Sequence, residues 1–152
     1  MYLFQQGGKG TKRVQLMGSG SILREVIAAA NILSEDFGIQ ADVWSCPSFN
    51  ELKRDGDDCV RWNLMHPDQK PRIPHVTACL EKHSGPVVAA TDYVKLFADQ
   101  IRAYVGRNFH VLGTDGFGRS DTRASLRRHF EVNRYYVTVA ALKTLADEGT
   151  IP

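Results

Sequence analysis

Short apolar runs alternate with helix-type segments four times along this chain, and this alternation constrains the fold more than any other feature of the sequence. Within the helix-type segments, apolar residues recur every three or four positions, which is the spacing of one helix face. The alternation predicts an α/β domain with a mostly parallel sheet and helices on both of its faces. The four strands are predicted at residues 13–17, 41–46, 86–90 and 110–112, with a further short edge strand at 2–4.

Capping residues and apolar spacing mark the helices. Gly38 closes the first helix as a C-terminal cap, and Ser48 with Glu51 three residues later forms a capping box at the start of the second. Asp92 can cap a later helix. The helices are predicted at 22–37, from 49 onward, and at 74–82, 93–104, 122–130 and 135–146. The last of these also has strand propensity, but its length favours a helix.

Residues 53–75 break the pattern. The run Arg54-Asp55-Gly56-Asp57-Asp58 is followed by three prolines, and we predict an irregular insertion here. Within it, Trp62, Leu64 and Met65 form an apolar cluster that a flexible polar insertion has no reason to carry. We therefore expect this cluster to be anchored on the domain or on a partner, which makes Trp62 a candidate interface residue.

Composition and charge define the broad class. At 152 residues and 43% hydrophobic content, the chain has the size of one ordinary domain. Lys+Arg 19 against Asp+Glu 17 is too balanced to argue for nucleic acid or an anionic membrane as a partner. No apolar run approaches the roughly 18 residues of a membrane span. The three cysteines lack close paired spacing and suit a reducing compartment, so we expect a cytoplasmic protein.

The segment 113–121, Gly-Thr-Asp-Gly-Phe-Gly-Arg-Ser-Asp, joins a strand to a helix and is called the candidate loop below. In open α/β sheets such turns line the crevice at the carboxyl ends of the strands, where ligands and partner domains bind. Phe117 lies between two glycines with no local side chain to shelter it, and Arg119 can form paired hydrogen bonds to a carboxylate. We therefore predict contact with another domain or subunit, with Asp115, Phe117, Arg119 and Asp121 as candidate interface residues.

No catalytic constellation is visible, and no catalytic, cofactor-binding or metal-binding residue is assigned. Gly18-Ser19-Gly20 could cradle a phosphate at a helix start, but Leu23 stands where the dinucleotide motif needs a third glycine, so a plain tight turn is favoured. The five histidines have no metal-ligand spacing. Arginines at 119, 123, 127 and 128 form a basic stripe that could grip phosphates or an acidic partner, or form a solvated or salt-bridged face.

Six segments spread over nearly the whole chain carry a resemblance to a known family: 14–24, 48–59, 61–63, 91–93, 112–121 and 129–132. They resemble the C-terminal domain of the homodimeric pyruvate dehydrogenase first component, a thiamine diphosphate-dependent member of the transketolase superfamily. The Phe-Gly-Arg-Ser run is common to the wider superfamily. The Arg-Asp-Gly-Asp-Asp-Cys and Arg-Trp-Asn runs are much more specific.

The resemblance implies a three-layer fold with a five-stranded mixed sheet, in which residues 2–4 would form an antiparallel edge strand. It implies a fragment of a three-domain homodimeric enzyme that decarboxylates pyruvate and acetylates the lipoyl group of dihydrolipoyl acetyltransferase. Thiamine diphosphate and magnesium would be held by other domains, because Asp115-Gly116-Phe117 does not follow the family's Gly-Asp-Gly order. This domain would then serve subunit packing and support the active-site region.

The alternative is a free-standing α/β regulatory module. It would bind a phosphorylated ligand through residues 18–21 or through the basic stripe.

Overall fold

The computed structural model describes residues 1–152 and places five strands in a single sheet. The strands are β1 (Tyr2–Gln5), β2 (Arg13–Gly18), β3 (Gln40–Ser45), β4 (Val87–Ala90) and β5 (Phe109–Leu112). Their order across the sheet is β1-β3-β2-β4-β5. β1 pairs with β3 in the antiparallel direction, and all other pairs are parallel. The five-stranded mixed sheet with one antiparallel edge strand is confirmed.

Helices cover both faces of the sheet. They are α1 (Leu23–Phe37), α2 (Phe49–Met65), α3 (His75–Leu80), α4 (Leu96–Asp99), α5 (Arg102–Val105), α6 (Arg123–His129) and α7 (Arg134–Asp147). α1 and α7 pack on one face, and α2 to α5 pack on the other. No helix is both long and apolar enough to cross a membrane. The segment 135–146, for which length favoured a helix over a strand, lies within α7, so this prediction is confirmed.

Each face of the sheet has its own apolar core because successive strand residues point to opposite sides. In β2, Leu16 packs toward α1 and α7, whereas Met17 packs toward the α2 layer. Val88 and Val87 divide in the same way in β4. Every buried side-chain nitrogen and oxygen has a hydrogen-bond partner. The buried polar side chains are therefore all satisfied by groups of this chain.

The predicted irregular insertion at 53–75 is wrong over most of its length, because α2 runs without interruption to Met65. Lys53 pairs with Asp57 one turn later, which stabilises the charged outer face of the helix. Gly56 is tolerated because the Tyr104 ring packs against it, so closely that a Cβ at this position would lie 2.3 Å from the ring. The irregular stretch is limited to residues 66–74.

The predicted helix over 93–104 is also wrong, because α4 starts only at Leu96 and a separate short helix, α5, follows it. The backbone at Tyr93 contacts the candidate loop instead of forming a helix. The Tyr93 carbonyl accepts from the Thr114 N–H at 2.9 Å. Asp92 does not cap a helix. Its Oδ2 accepts instead from the Ser21 hydroxyl at 3.0 Å.

Candidate interaction site at the carboxyl edge of the sheet

The strand order reverses between β2 and β4, since the chain goes from β2 to β3 on one side and from β4 to β5 on the other. In open α/β sheets the crevice outside such a reversal is the usual binding site. A cleft of about 680 Å³ lies at this position, between the ends of β2, β4 and β5 and the start of α6. It is lined by Ser21, Ile22, Asp92, Thr114, Gly116, Gly118, Arg119, Asp121, Arg123, Leu126, Arg127, Phe130 and Val132.

The base of the candidate loop is tied to the segment that follows β4. Besides the bond from Thr114 to Tyr93, the Lys95 N–H donates to Asp115 Oδ1 at 2.9 Å. Gly113 lies so close to this segment that a Cβ there would be 2.6 Å from the Tyr93 carbonyl oxygen. The two loops therefore form one surface, and Asp115 is a residue of its base.

The tip of the candidate loop projects into solvent. Phe117 is 95% exposed. Arg119 is exposed and lines the cleft, and Asp121 lies beside it with its Oδ1 accepting from the Thr122 N–H at 2.6 Å. The Thr122 hydroxyl then caps α6 by accepting from the Ser125 N–H at 3.3 Å. The loop thus has an anchored base and a tip whose aromatic ring and guanidinium have no partner within the chain.

Glu25 of α1 joins α1 to α6 and α7 next to the cleft. It is 6% exposed and accepts from Arg127 of α6 at 2.9 Å and from the Arg134 backbone and guanidinium of α7 at 3.0 to 3.2 Å. Burial raises the pKa of Glu25, but the hydrogen bonds and charges of the two arginines outweigh burial and leave the pKa below its ordinary value. The carboxylate is therefore charged at neutral pH and clamps α6 and α7 to α1.

Ser21 joins this clamp to the far side of the cleft. Its hydroxyl donates to Asp92 and accepts from Arg127 Nη2 at 3.3 Å. A continuous polar chain therefore runs from Asp92 through Ser21 and Arg127 to Glu25 and Arg134. It fixes the relative positions of three helices around the cleft.

The segment Gly18-Ser19-Gly20 is packed as a tight turn. A Cβ on Gly18 would lie 2.9 Å from the Leu23 Cα, and the Ser19 hydroxyl oxygen accepts from the Tyr93 hydroxyl at 3.0 Å. A 3₁₀ turn over Gly20–Ile22 then separates this segment from the first turn of α1. These contacts favour the tight turn over the phosphate cradle.

The predicted basic stripe does not act as one surface. Arg127 is paired with Glu25, as a salt-bridged face requires. Arg119 and Arg123 line the cleft, whereas Arg128 is exposed outside it. The stripe is therefore divided into one structural arginine, Arg127, two exposed arginines that line the cleft, and Arg128 outside the cleft.

Trp62 lies on α2, outside the residues that line the cleft. Its ring is partly buried and stacks on His66 with centroids 4.4 Å apart, and the Arg72 guanidinium lies 4.2 Å from its centroid. Leu64 and Met65 are 78% and 62% exposed. Anchoring of the whole cluster on the domain is therefore wrong. Contact with a partner stays a prediction for these residues.

We expect Trp62→Ala to cost about 1–2 kcal/mol of unfolding free energy, because the stacking and cation–π contacts are each worth about 0.5–1.5 kcal/mol. Urea denaturation followed by circular dichroism measures this loss. Arg61→Ala, an exposed neighbour on the same helix, is the control and should change the free energy by less than about 0.5 kcal/mol. A Trp62→Ala loss within the control's range would show that the ring contributes nothing to the fold.

Comparisons with known proteins identify the family. The model for the transketolase-like C-terminal domain matches residues 1–133. This chain belongs to the transketolase-like C-terminal domain family. Among curated relatives, the pyruvate dehydrogenase E1 component of Cupriavidus necator is 59% identical over 99% of this chain and 17% of its own length. The corresponding component of Escherichia coli K12 is 56% identical over 96% of this chain and 16% of its own length. This domain therefore spans about a sixth of the length of these relatives.

Solved structures of transketolases share the fold of this transketolase-like C-terminal domain. The enzyme from Campylobacter jejuni aligns with a TM-score of 0.60 at 20% identity, covering 93% of this chain and 18% of that one. A transketolase from Pichia stipitis aligns with a TM-score of 0.61 at 18% identity, covering 96% of this chain and 18% of that one. Both therefore contain this three-layer arrangement as one part of a longer chain.

The sequence did not predict the pairing of Glu25 with Arg127 and Arg134 in this transketolase-like domain. One sign of it is present in the sequence: Glu25 lies three residues after Ile22 and four before Ala29, which puts an acid on the apolar face of the predicted helix. A buried carboxylate requires a charged or hydrogen-bonded partner. The sign predicts a partner for Glu25 but does not name Arg127 or Arg134.

Proposed function

We propose that this chain is the C-terminal, non-catalytic domain of a pyruvate dehydrogenase E1 component. The observation that carries the proposal is the 59% identity to the Cupriavidus necator component over 99% of this chain, compared with 18–20% to the transketolases of the same fold. The whole enzyme would decarboxylate pyruvate and acetylate the lipoyl group of dihydrolipoyl acetyltransferase. We place it in the cytoplasm, in keeping with three free cysteines.

Thiamine diphosphate and magnesium are the cofactors that the family implies for the whole enzyme, and no group of residues in this chain fits the metal ion. No three His, Cys, Asp or Glu side chains lie close enough together to hold a metal ion. The two carboxylates at the cleft, Asp92 and Asp121, already accept from Ser21 and Thr122. We therefore assign both cofactors to the rest of the enzyme and no catalytic step to this chain.

The role of the domain in this proposal is subunit packing and support of the active-site region. Apolar side chains are exposed at the carboxyl edge of the sheet: Val94 after β4, Leu96 and Phe97 at the start of α4, and Phe117 on the candidate loop. Exposed apolar patches of this kind are typical of interaction sites, and an aromatic residue beside an arginine is a common interface anchor. We propose that this carboxyl-edge surface contacts the remaining domains or the second subunit of a homodimer.

Replacing Phe117 and Arg119 together by alanine in the full-length enzyme tests this role. We expect dimerisation to weaken by roughly 30-fold or more, or turnover to fall, since an aromatic and arginine anchor contributes about 2 kcal/mol or more. The isolated domain should keep its unfolding free energy within about 0.5 kcal/mol, because neither side chain packs on its core. Sedimentation equilibrium, turnover assays and thermal unfolding are the measurements.

The control for this experiment removes another aromatic and arginine pair, Phe37→Ala with Arg128→Ala, which lies outside the cleft, and should leave dimerisation and turnover unchanged. The opposite pattern would refute the interface. If the Phe117 and Arg119 variant unfolds the isolated domain while full-length assembly and turnover stay normal, the candidate loop is a local structural clasp.

A further inference from the structure

One residue of the chain adopts a backbone conformation that its side chain disfavours. Glu131, in the turn between α6 and α7, has a φ of +58°, and every other residue with a positive φ is a glycine. A residue with a Cβ is disfavoured in this left-handed region, whereas glycine adopts it freely. The chain therefore carries a local cost at Glu131 that a glycine would remove.

The way in which α6 ends requires this conformation. The Glu131 N–H donates to the Arg128 carbonyl at 3.2 Å. The Val132 N–H donates to the Arg127 carbonyl at 2.9 Å. These two bonds form a Schellman motif, in which the left-handed residue is usually glycine. A left-handed glycine follows the last turn of α1, α5 and α7, so the end of α6 differs from theirs in carrying a glutamate.

Contacts within the chain do not account for the Glu131 side chain. It is exposed and takes part in none of the ion pairs, although α6 ends in three basic residues, Arg127, Arg128 and His129. The apolar contact that usually accompanies this kind of helix end is made by Val132, which is 1% exposed. The Glu131 carboxylate is therefore free to contact another polypeptide.

Glu131 lies beside the proposed interface. Its two neighbours, Phe130 and Val132, line the cleft that is also lined by Arg119 of the candidate loop. A carboxylate at the rim of an interface is complementary to a guanidinium or an ammonium group. Linked domains of one chain dock with the help of a high effective concentration, whereas two subunits associate without it. A side chain that is kept at a local cost is therefore better explained by contact between subunits.

We propose that Glu131 forms an ion pair with an arginine or lysine of the second subunit in the homodimeric enzyme. The inference rests on the function proposed above, and it adds the turn between α6 and α7 to the interface. A two-fold dimer contains such a pair twice. The gain in assembly then offsets the unfavourable backbone conformation at Glu131.

Two substitutions in the full-length enzyme, Glu131→Gly and Glu131→Gln, test the ion pair. Both remove the charge, so each should weaken dimerisation about tenfold, because two pairs at the rim contribute about threefold each. Sedimentation over a dilution series measures the dimer dissociation constant. The loss should shrink at high salt, which screens exposed charges. The control is Glu35→Gln, exposed on α1 and outside the cleft, which should change the constant by less than about twofold.

Thermal unfolding of the 152-residue chain separates the backbone cost from the effect of the charge. Glu131→Gly should raise the melting temperature by about 2–4 °C, because glycine adopts the left-handed conformation without strain. Glu131→Gln keeps the strained conformation and should change the melting temperature by less than about 1 °C. We therefore expect Glu131→Gly to stabilise the chain and, in the full-length enzyme, to weaken the dimer.

Either of two results would overturn the inference. The first is a dissociation constant for Glu131→Gln or Glu131→Gly within about twofold of the wild-type value, which would show that the charge does not contribute to assembly. The second is a melting temperature for Glu131→Gly that is no higher than that of the wild type, which would show that Glu131 carries no local cost. Neither result contradicts the proposed function, whereas a wild-type full-length protein that fails to dimerise would contradict it.

Discussion

Replacing Glu25 by alanine should lower the unfolding free energy of the chain by about 3–5 kcal/mol, the usual result of removing one partner from a buried ion pair. The change deletes the acceptor of Arg127 and of both the backbone and the guanidinium of Arg134. It therefore removes the polar link from α1 to α6 and α7, while the apolar packing of α1 on α7 remains. Glu35→Ala, on an exposed position of the same helix, should cost less than about 0.5 kcal/mol. A loss below about 1 kcal/mol for Glu25→Ala would show that the clamp does not hold the helices together.

The same clamp gives stability a defined dependence on pH. The pKa of Glu25 is lower in the folded chain than its ordinary value of 4.5. A carboxylate of this kind stabilises the fold fully above its unfolded pKa, and the contribution is lost as the pH falls through the lower folded pKa. The difference in unfolding free energy between wild type and Glu25→Gln should therefore be constant from about pH 7 to pH 5 and shrink below that. A difference that grows toward acid pH would contradict the assignment.

Gly85→Ala should cost more than about 4 kcal/mol or prevent folding, because two penalties coincide at this turn before β4. Its φ of +91° lies in a region that an alanine rarely adopts, and a Cβ there would lie 1.9 Å from the Arg13 carbonyl oxygen on β2. The atoms that a Cβ would meet belong to the backbone of Arg13 and Val14, so they cannot move aside as a flexible side chain could. Denaturant unfolding, with soluble yield as a second readout, measures the loss.

Gly106→Ala is the matched control for the close contact at Gly85. Its φ of +70° is also positive, but a Cβ there would meet no atom within 4 Å. We expect a cost of about 1–2 kcal/mol from the backbone conformation alone. Equal losses at Gly85 and Gly106 would mean that the approach between the turn and β2 is not a constraint on the fold.

The parallel strands could be predicted from sequence because their apolar runs are short, continuous and bounded by turn residues, as at Pro86 to Ala90. The extension of α2 to Met65 could not be predicted from the sequence. Its charged run looks like a loop until Lys53 is paired with Asp57, and Gly56 looks like a helix breaker until Tyr104 packs on it. The helix predicted from Tyr93 failed for a similar reason, since the candidate loop holds that backbone. The contacts of Tyr104 with Gly56 and of Thr114 with Tyr93 join distant segments, so no local pattern predicts them.

At the candidate site, too, local sequence predicts some features, whereas others depend on contacts between distant residues. The exposed position of Phe117 follows from its two flanking glycines, which offer it no cover. The clamp does not follow from any local pattern, because Glu25 and Arg127 are separated by 102 positions in the sequence. Arg127 is paired with Glu25, whereas Arg123 faces the cleft. This difference likewise depends on how α6 packs against α1.

A chimera tests the central claim most directly. This chain would replace the segment that it matches in the Cupriavidus necator pyruvate dehydrogenase E1 component, and pyruvate decarboxylation would be measured with thiamine diphosphate and magnesium. We predict that the chimera assembles and decarboxylates pyruvate, whereas the isolated chain neither does so nor binds thiamine diphosphate with a micromolar dissociation constant, about −8 kcal/mol. A chimera that folds and dimerises but has no activity, or an isolated chain that decarboxylates pyruvate, would contradict the account.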